Sequence, residues 1–306
     1  MTGRAAKQPA NASEEPRTLA AAAEAIAREA GLHIRSRLAA PGRIGTKSAA
    51  IDLVTDTDRD ADAIITGRIH ESFPAHTILS EEGGSVAAAS AHAAARPPAG
   101  GGIRWVVDPL DGTMNFAHGF PHFAVSIAAV RLDGPSAAPA SPSPDQIRGR
   151  MLAGVVYDPM RDELFRAAEG EPATLNGAPI SVSSASRVAS SLLATGFPYD
   201  RREQADFYLS FWRELMIRSQ DVRRAGAAAL DLAWVACGRL DAFWEWSLHP
   251  WDIAAGVLIV RGAGGRATDF AGNDIFLGAQ QTLASNGRVH DELIGILQPL
   301  ARQQKG

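Results

Sequence analysis

Six acidic residues stand where apolar runs begin or end: Asp58, Glu81, Glu82, Asp108, Asp111 and Asp252. Carboxylates gathered without paired cysteine or histidine are the donors that hard divalent cations select, which points to Mg²⁺, Mn²⁺ or Ca²⁺. A calcium loop of the helix-pair type is not indicated. Asp56-Thr57-Asp58-Arg59-Asp60 begins like one but lacks the required glycine. The most informative stretch is RWVVDPLDGTMNF, residues 104–116. An apolar run ends in Asp108, Pro109 stiffens a turn, and Asp111 follows, so both carboxylates and the Leu110 carbonyl can face one cavity. Gly112 permits close backbone approach, and Thr113 opens a helix whose free N–H groups attract an anion. Acids for a cation beside donors for an anion are what metal-assisted phosphoryl hydrolysis requires. Spacing alone leaves a second reading open, in which these acids are solvated turn residues.

The elements that must position these residues follow from periodicity. Residues 17–39 are alanine-rich with apolar positions at helical spacing, and a second helix begins at Asp56 and ends before Pro74. Strands are expected at HTILSEE, Ile103–Val107, Phe123–Arg131, Met151–Tyr157 and Glu163–Ala167, with a tight turn at Asn176-Gly177. Further along, the pattern predicts strands at Ser191–Thr195, Leu240–Trp246 and Gln281–Ser285. It predicts helices at Ala205–Arg218, Gly226–Cys237, Trp251–Gly262 and Asp291–Arg302. Residues 83–102 and Pro135–Asp145 read as surface loops, and residues 1–16 as a disordered extension. Helices and strands alternate in blocks, which predicts a layered α/β or α+β body of two subdomains, 17–190 and 191–306.

Bulk properties exclude several functions. With 30 Lys+Arg against 34 Asp+Glu the net charge is −4, which offers no basic footprint for nucleic acid. The single cysteine, Cys237, excludes an intrachain disulfide framework. No run is long and apolar enough for a membrane span, and the N-terminus lacks an apolar signal core, so a cytoplasmic location is expected. His118 and His122 have no adjacent acidic partner and read as structural, as do Trp244, Trp246 and Trp251.

DPLDGTMNF and, downstream, WDIAAGVLIVRGAGG resemble the two signature segments of the inositol monophosphatase family. DLVTDTDRDAD, ILSEEGG, GVVYDP, LNGAPI, LLATGFPYD and DAFWEWSLHPWD support it in order. The resemblance implies a layered α-β-α-β-α sandwich, shared with fructose-1,6-bisphosphatases. It also implies a lithium-sensitive, Mg²⁺-dependent phosphatase with two to three ions per site, Mn²⁺ being able to substitute. Position by position, it makes Glu81, Asp108 and the Leu110 carbonyl ligands of one metal. Asp108, Asp111 and Asp252 become ligands of a second, and Glu82 assists a third. Thr113 with Asp58 would orient and deprotonate the attacking water. Gly112 and Thr113 would hold phosphate, and Gly226, Ala227 and Glu245 would meet substrate hydroxyls, with Lys47 near the metals. Met114 and Ala227 stand where relatives often carry threonine, but no ligand is missing.

The expected substrate is therefore inositol 1-phosphate or a similar small polyol or sugar phosphate, handled by a homodimer with neither nucleic acid nor membrane as partner. Fructose 1,6-bisphosphate, histidinol phosphate and 3′-phosphoadenosine 5′-phosphate are the alternatives within the superfamily. A regulatory binding protein that keeps the fold without catalysis is the alternative outside it.

Overall fold

The computed structural model describes residues 14–40, 42–47, 53–86, 101–133, 147–275 and 277–305. The N-terminal extension up to residue 13 and the Pro135–Asp145 insertion lie outside the described residues. The first half of the chain builds α1 (Pro16–Arg37), a small hairpin of β1 (Ile44–Thr46) and β2 (Leu53–Thr55), and α2 (Asp56–Ser72). Next come β3 (Thr77–Ser80), β4 (Gly84–Val86), β5 (Ile103–Asp111), the short α3 (Thr113–Ala117) and β6 (Ala124–Leu132). Then follow β7 (Gly149–Asp158), β8 (Glu163–Ala168), β9 (Thr174–Leu175) and β10 (Ala178–Pro179). The second half adds β11 (Leu192–Thr195), α4 (Ala205–Met216), β12 (Asp221–Arg223), α5 (Ala228–Ala236) and β13 (Ala242–Trp246). It closes with α6 (Pro250–Gly262), β14 (Arg266–Thr268), β15 (Gln281–Ser285) and α7 (His290–Ala301).

Strands β10-β9-β8-β7-β6-β5-β3-β4 form one sheet, antiparallel except where β3 runs parallel to β5. Strands β12-β11-β13-β15-β14 form a second, in which β11 is parallel to both neighbours. Helices α1 and α2 cover one face of the larger sheet through Ile26, Ile34, Ile65 and Ile69 against Trp105, Val107 and Tyr157. Helices α5 and α6 lie between the sheets, with Leu230, Leu232, Val257 and Ile259 in one core with Val156 and Phe243. Helices α4 and α7 cover the outer face of the smaller sheet through Phe211, Leu215, Leu293 and Leu297. The result is the layered helix–sheet–helix–sheet–helix body expected.

Small residues set the layer spacing. A Cβ at Gly31 would sit 2.5 Å from the Tyr157 ring, and one at Gly256 would sit 2.6 Å from Leu232. Alanine and glycine thus let α1 lie close on β7 and let α6 lie close on α5.

Two expectations need correction. The strand expected to stop at Val107 continues to Asp111. Asp108 pairs with Ser126 and Asp111 with Ala124, so the register shifts between them and Pro109-Leu110 bulge out of the ladder. Proline has no N–H to donate, so a bulge rather than a turn accommodates it. The glycine-rich stretch from residue 83 is not loop throughout, because Gly84–Val86 pairs antiparallel with β3; residues 87–100 lie outside the described residues. At Asn176-Gly177 both residues have positive φ, 49° and 80°, as the tight turn between β9 and β10 requires.

Candidate active site

The bulge in β5 builds the centre of the site. Asp108 is 2 % exposed, and one of its oxygens accepts from the Leu110 N–H at 3.0 Å, which closes the bulge. Gly112 follows with φ 92°, left-handed, in a gap where a Cβ would lie 3.0 Å from the His122 carbonyl oxygen. That turn starts α3 at Thr113. The Thr113 hydroxyl lies 2.8 Å from Asp58 Oδ1 and 3.0 Å from the Leu110 carbonyl oxygen.

Asp58 is fixed from its own helix. It is the third residue of α2, and its Oδ2 accepts from the Thr55 backbone N–H at 2.8 Å and the Thr55 hydroxyl at 2.5 Å. The Thr55 hydroxyl accepts in turn from the Asp58 N–H, a reciprocal cap. One residue both caps a helix and touches Thr113.

Two acids arrive from the middle helix layer and its neighbour strand. Asp111 Oδ2 accepts from the Ala229 N–H at 2.7 Å, so the start of α5 is pinned to the end of β5. Asp252, in the first turn of α6, accepts from the His249 N–H at 2.7 Å. Burial pushes Asp108 and Asp252 well above the ordinary carboxylate range, and the negative charge of Glu81 and their other acidic neighbours pushes further. Burial lifts Asp111 to about 7 against the opposing pull of backbone donors at Ala229, Ala228 and Leu230.

Glu81 and Glu82 follow β3 and meet Lys47. Its ammonium donates to Glu81 Oε1 at 2.7 Å and to Glu82 as well. Burial disfavours the charged lysine, but the two carboxylates outweigh it and hold its pKa above the usual range.

Glu81, Asp108, Leu110, Asp111, Gly112, Thr113, Gly226, Ala227, Glu245 and Asp252 all line one cavity of about 620 Å³. Asp58, Glu82 and Lys47 reach it through Thr113 and Glu81. Glu245 sits on β13, almost fully buried with its carboxylate against Gly196, and burial raises its pKa to about 8. Gly226 has φ 89° and Ala227 is extended, so the chain enters α5 beside Asn115, whose amide donates to the His122, Ala225 and Gly226 carbonyls.

The carboxylates share a cavity without forming a closed cage. Among the described residues no three His, Cys, Asp or Glu side chains converge tightly enough to hold an ion as they stand. Asp108, Asp111 and Asp252 each turn one oxygen to a backbone N–H and keep the other. The donor chemistry nevertheless fits a divalent cation. Several buried oxygens raise one another's pKa, and bound positive charge relieves that repulsion.

Outside this set, His122 is buried edge-on to Trp234 at 5.1 Å, and burial lowers its pKa to about 4. His118 is exposed, Trp244 is a core residue, and Trp246 belongs to the same core but also lines the cavity, as does Trp251. Sequence reading missed Asp231, an acid in the apolar run LDLAWVA that lines the cavity at 2 % exposure with Oδ1 unpartnered. It also missed Arg201 in the same cavity. An acid inside an apolar helix is unusual, but its position does not by itself say that it faces a cavity.

The family model for the inositol monophosphatase family matches residues 15–302. Nus factor SuhB of Pseudomonas aeruginosa is 41% identical over 252 residues, 82% of this chain and 84% of that protein. Inositol-1-monophosphatase of Synechocystis sp. is 42% identical over 264 residues, 86% of this chain and 83% of that protein. Among solved structures, the extragenic suppressor protein SuhB from Bartonella henselae aligns with TM-score 0.78 at 34% identity, covering 91% of this chain and 98% of that one. The inositol monophosphatase from Anabaena aligns with TM-score 0.76 at 37% identity, covering 92% and 96%. In fold and in nearly its whole length of sequence, this chain belongs to the inositol monophosphatase family and is a Mg²⁺-dependent phosphomonoesterase of that type.

Proposed function

We propose that this cavity hydrolyses inositol 1-phosphate or a similar small polyol phosphate. The observation that carries the reading is that one cavity of about 620 Å³ collects the buried acids, the α3 start and the Glu245 carboxylate. That volume suits a small ligand. Glu81, Asp108, the Leu110 carbonyl, Asp111 and Asp252 would hold two Mg²⁺ ions, with Glu82 assisting a third and Mn²⁺ able to substitute. Bound there, the cations would neutralise phosphate charge and make a water acidic enough to attack.

The rest of the work falls to this chain's own groups. The N–H groups at Gly112 and Thr113, at the start of α3, would donate to the phosphate oxygens. Thr113 Oγ1 would receive a proton from the attacking water while passing its own to Asp58 Oδ1, 2.8 Å away. Thr55 holds Asp58 in place for this through two hydrogen bonds. Glu245 and the backbone at Gly226 and Ala227 would accept from substrate hydroxyls and orient the ring.

The test is phosphate release with and without Mg²⁺ from inositol 1-phosphate, fructose 1,6-bisphosphate, histidinol phosphate and 3′-phosphoadenosine 5′-phosphate. Mg²⁺-dependent turnover led by inositol 1-phosphate is the expected result. Turnover led by the nucleotide or histidinol ester would overturn the substrate assignment, and silence on all four from folded protein would overturn the reaction.

A further inference from the structure

The metal ligands, the phosphate donors and the proton path leave one buried acid of the cavity without a task. Asp231 stands in the first turn of α5, and its N–H donates to the Ala227 carbonyl at 3.0 Å. It therefore lies one helical turn beyond Ala227, on the face where Ala227 and Ala228 line the cavity with it. Side chains on a helix lean back toward its N-terminus, so the Asp231 carboxyl leans over two alanines into the open space. Asp231 is 2 % exposed, and its Oδ1 has no hydrogen-bond partner among the described residues. An acid in a first turn commonly serves the helix end, but α5 has no side-chain cap.

Arg224 would be the natural counter-ion, yet its guanidinium is placed elsewhere. The guanidinium carbon lies 6.0 Å from the centre of the Phe197 ring. Its Nη1 fills the space beside Gly226, 2.6 Å from where a Cβ would stand. The Arg224 charge thus bears on Asp231 without an ion pair among the described residues. Burial holds the Asp231 pKa well above the usual carboxylate range, and the charges of Glu245 and Asp111 add to that. Glu245 reaches the same cavity from β13, its carboxyl lying where a Cβ at Gly196 would stand. A neutral carboxyl offers one donor and one acceptor, as a ring hydroxyl does. A buried acid without a partner is costly, so a ligand that supplies the missing hydrogen bond is bound in preference to one that cannot.

We propose that Asp231 is a substrate-binding residue that takes a second ring hydroxyl beside the one met by Glu245, so that the site selects ring polyol phosphates over esters with few or no hydroxyls. This rests on the phosphatase reading above and deepens it. Asp231 touches none of the reacting atoms.

The test compares inositol 1-phosphate with cyclohexyl phosphate, which has the same six-membered carbon ring without the free hydroxyls. Wild-type protein with Mg²⁺ should show a kcat/KM at least tenfold higher for inositol 1-phosphate. Asp231→Ala should bring that ratio down about tenfold, mainly through KM for inositol 1-phosphate. Its melting temperature in EDTA should be equal or higher, because a buried acid without a partner has gone. Asp231→Asn, which keeps a donor and an acceptor in place, should retain most of the ratio. An Asp231→Ala variant that keeps the wild-type ratio, or that slows both esters equally, would overturn the proposal. So would a lower melting temperature or a higher Mg²⁺ requirement with the ratio unchanged, which would make Asp231 a structural or a metal-site acid. In each of these cases Mg²⁺-dependent release from inositol 1-phosphate by the wild type leaves the phosphatase reading standing. Silence of the wild type on both esters would remove both.

Discussion

At the scale of single residues, the acids of the cavity are placed for chemistry at a cost to the fold. Asp108 is buried, with the charges of Glu81, Asp111 and Asp252 bearing on it. Asp108→Asn should lower Mg²⁺-dependent turnover by orders of magnitude, because it removes the carboxylate expected to serve both metals. The same change should leave the melting temperature in EDTA equal or higher, since it removes a buried charge from a repulsive group. Activity assay and thermal melt on one preparation check both halves. Thr113→Ala should reduce kcat roughly 10²–10³-fold, within the usual span for general acid–base groups, while Thr113→Ser, which keeps the hydroxyl near Asp58, should recover most of it. Equal loss in both variants would show that the hydroxyl proton path is not used. These residues were legible in the sequence because each sits at the end of an apolar run, where a carboxylate stands out. Asp231 and Arg201 were not. One lies inside an apolar helix and the other in a polar loop, and neither position announces that it faces a cavity.

At the scale of elements, the site depends on how closely helices approach. Asp111 is tied to α5 through the Ala229 N–H, and Asp252 rides on α6. The distance between them is thus set by the α5–α6 crossing, where Gly256 lies against Leu232. Gly256→Ala should destabilise the fold by about 1–3 kcal/mol through overpacking. It should also raise the Mg²⁺ concentration needed for half-maximal activity, as α6 is pushed from α5. A Mg²⁺ titration of activity beside a denaturant melt separates the two effects. Most long elements could be read from periodicity to within a few residues. The continuation of β5 to Asp111 could not, because proline reads as a strand terminator and the bulge that absorbs it is a property of the pairing with β6. The short strands β12 and β14 were likewise hidden, since three residues carry too little pattern.

At the scale of the whole molecule, the cavity makes stability depend on pH and metal together. Asp108, Asp111, Asp252 and Glu245 have folded pKa values raised above their unfolded ones, with Asp111 near about 7 and Glu245 near about 8. For such acids the stabilising contribution is complete below the unfolded pKa and is lost as pH rises through the folded value. Two buried histidines act the other way. His122 and His290 are lowered to about 4, so their contribution is lost as pH falls toward that value. The difference in melting temperature between Mg²⁺-loaded and EDTA-treated protein isolates the metal site from the histidines. It should grow from about pH 5 to about pH 8, as carboxylates that must ionise become available to bind. A difference that stays flat across that range would mean the acids are not the metal site.

The bond from the Ala229 N–H to Asp111 also bears on how the chain matures. Asp108 and Asp111 leave the ribosome long before Asp252, so the half-built acid group must exist for a time as a strand end with no partners from the middle layer. The ion that needs Asp252 can therefore do little for the nascent larger sheet. Its contribution comes when α5 and α6 dock, which makes the ion a late clasp on the assembled layers rather than a seed for them. In refolding experiments, added Mg²⁺ should act most strongly on the last phase, when Asp252 arrives.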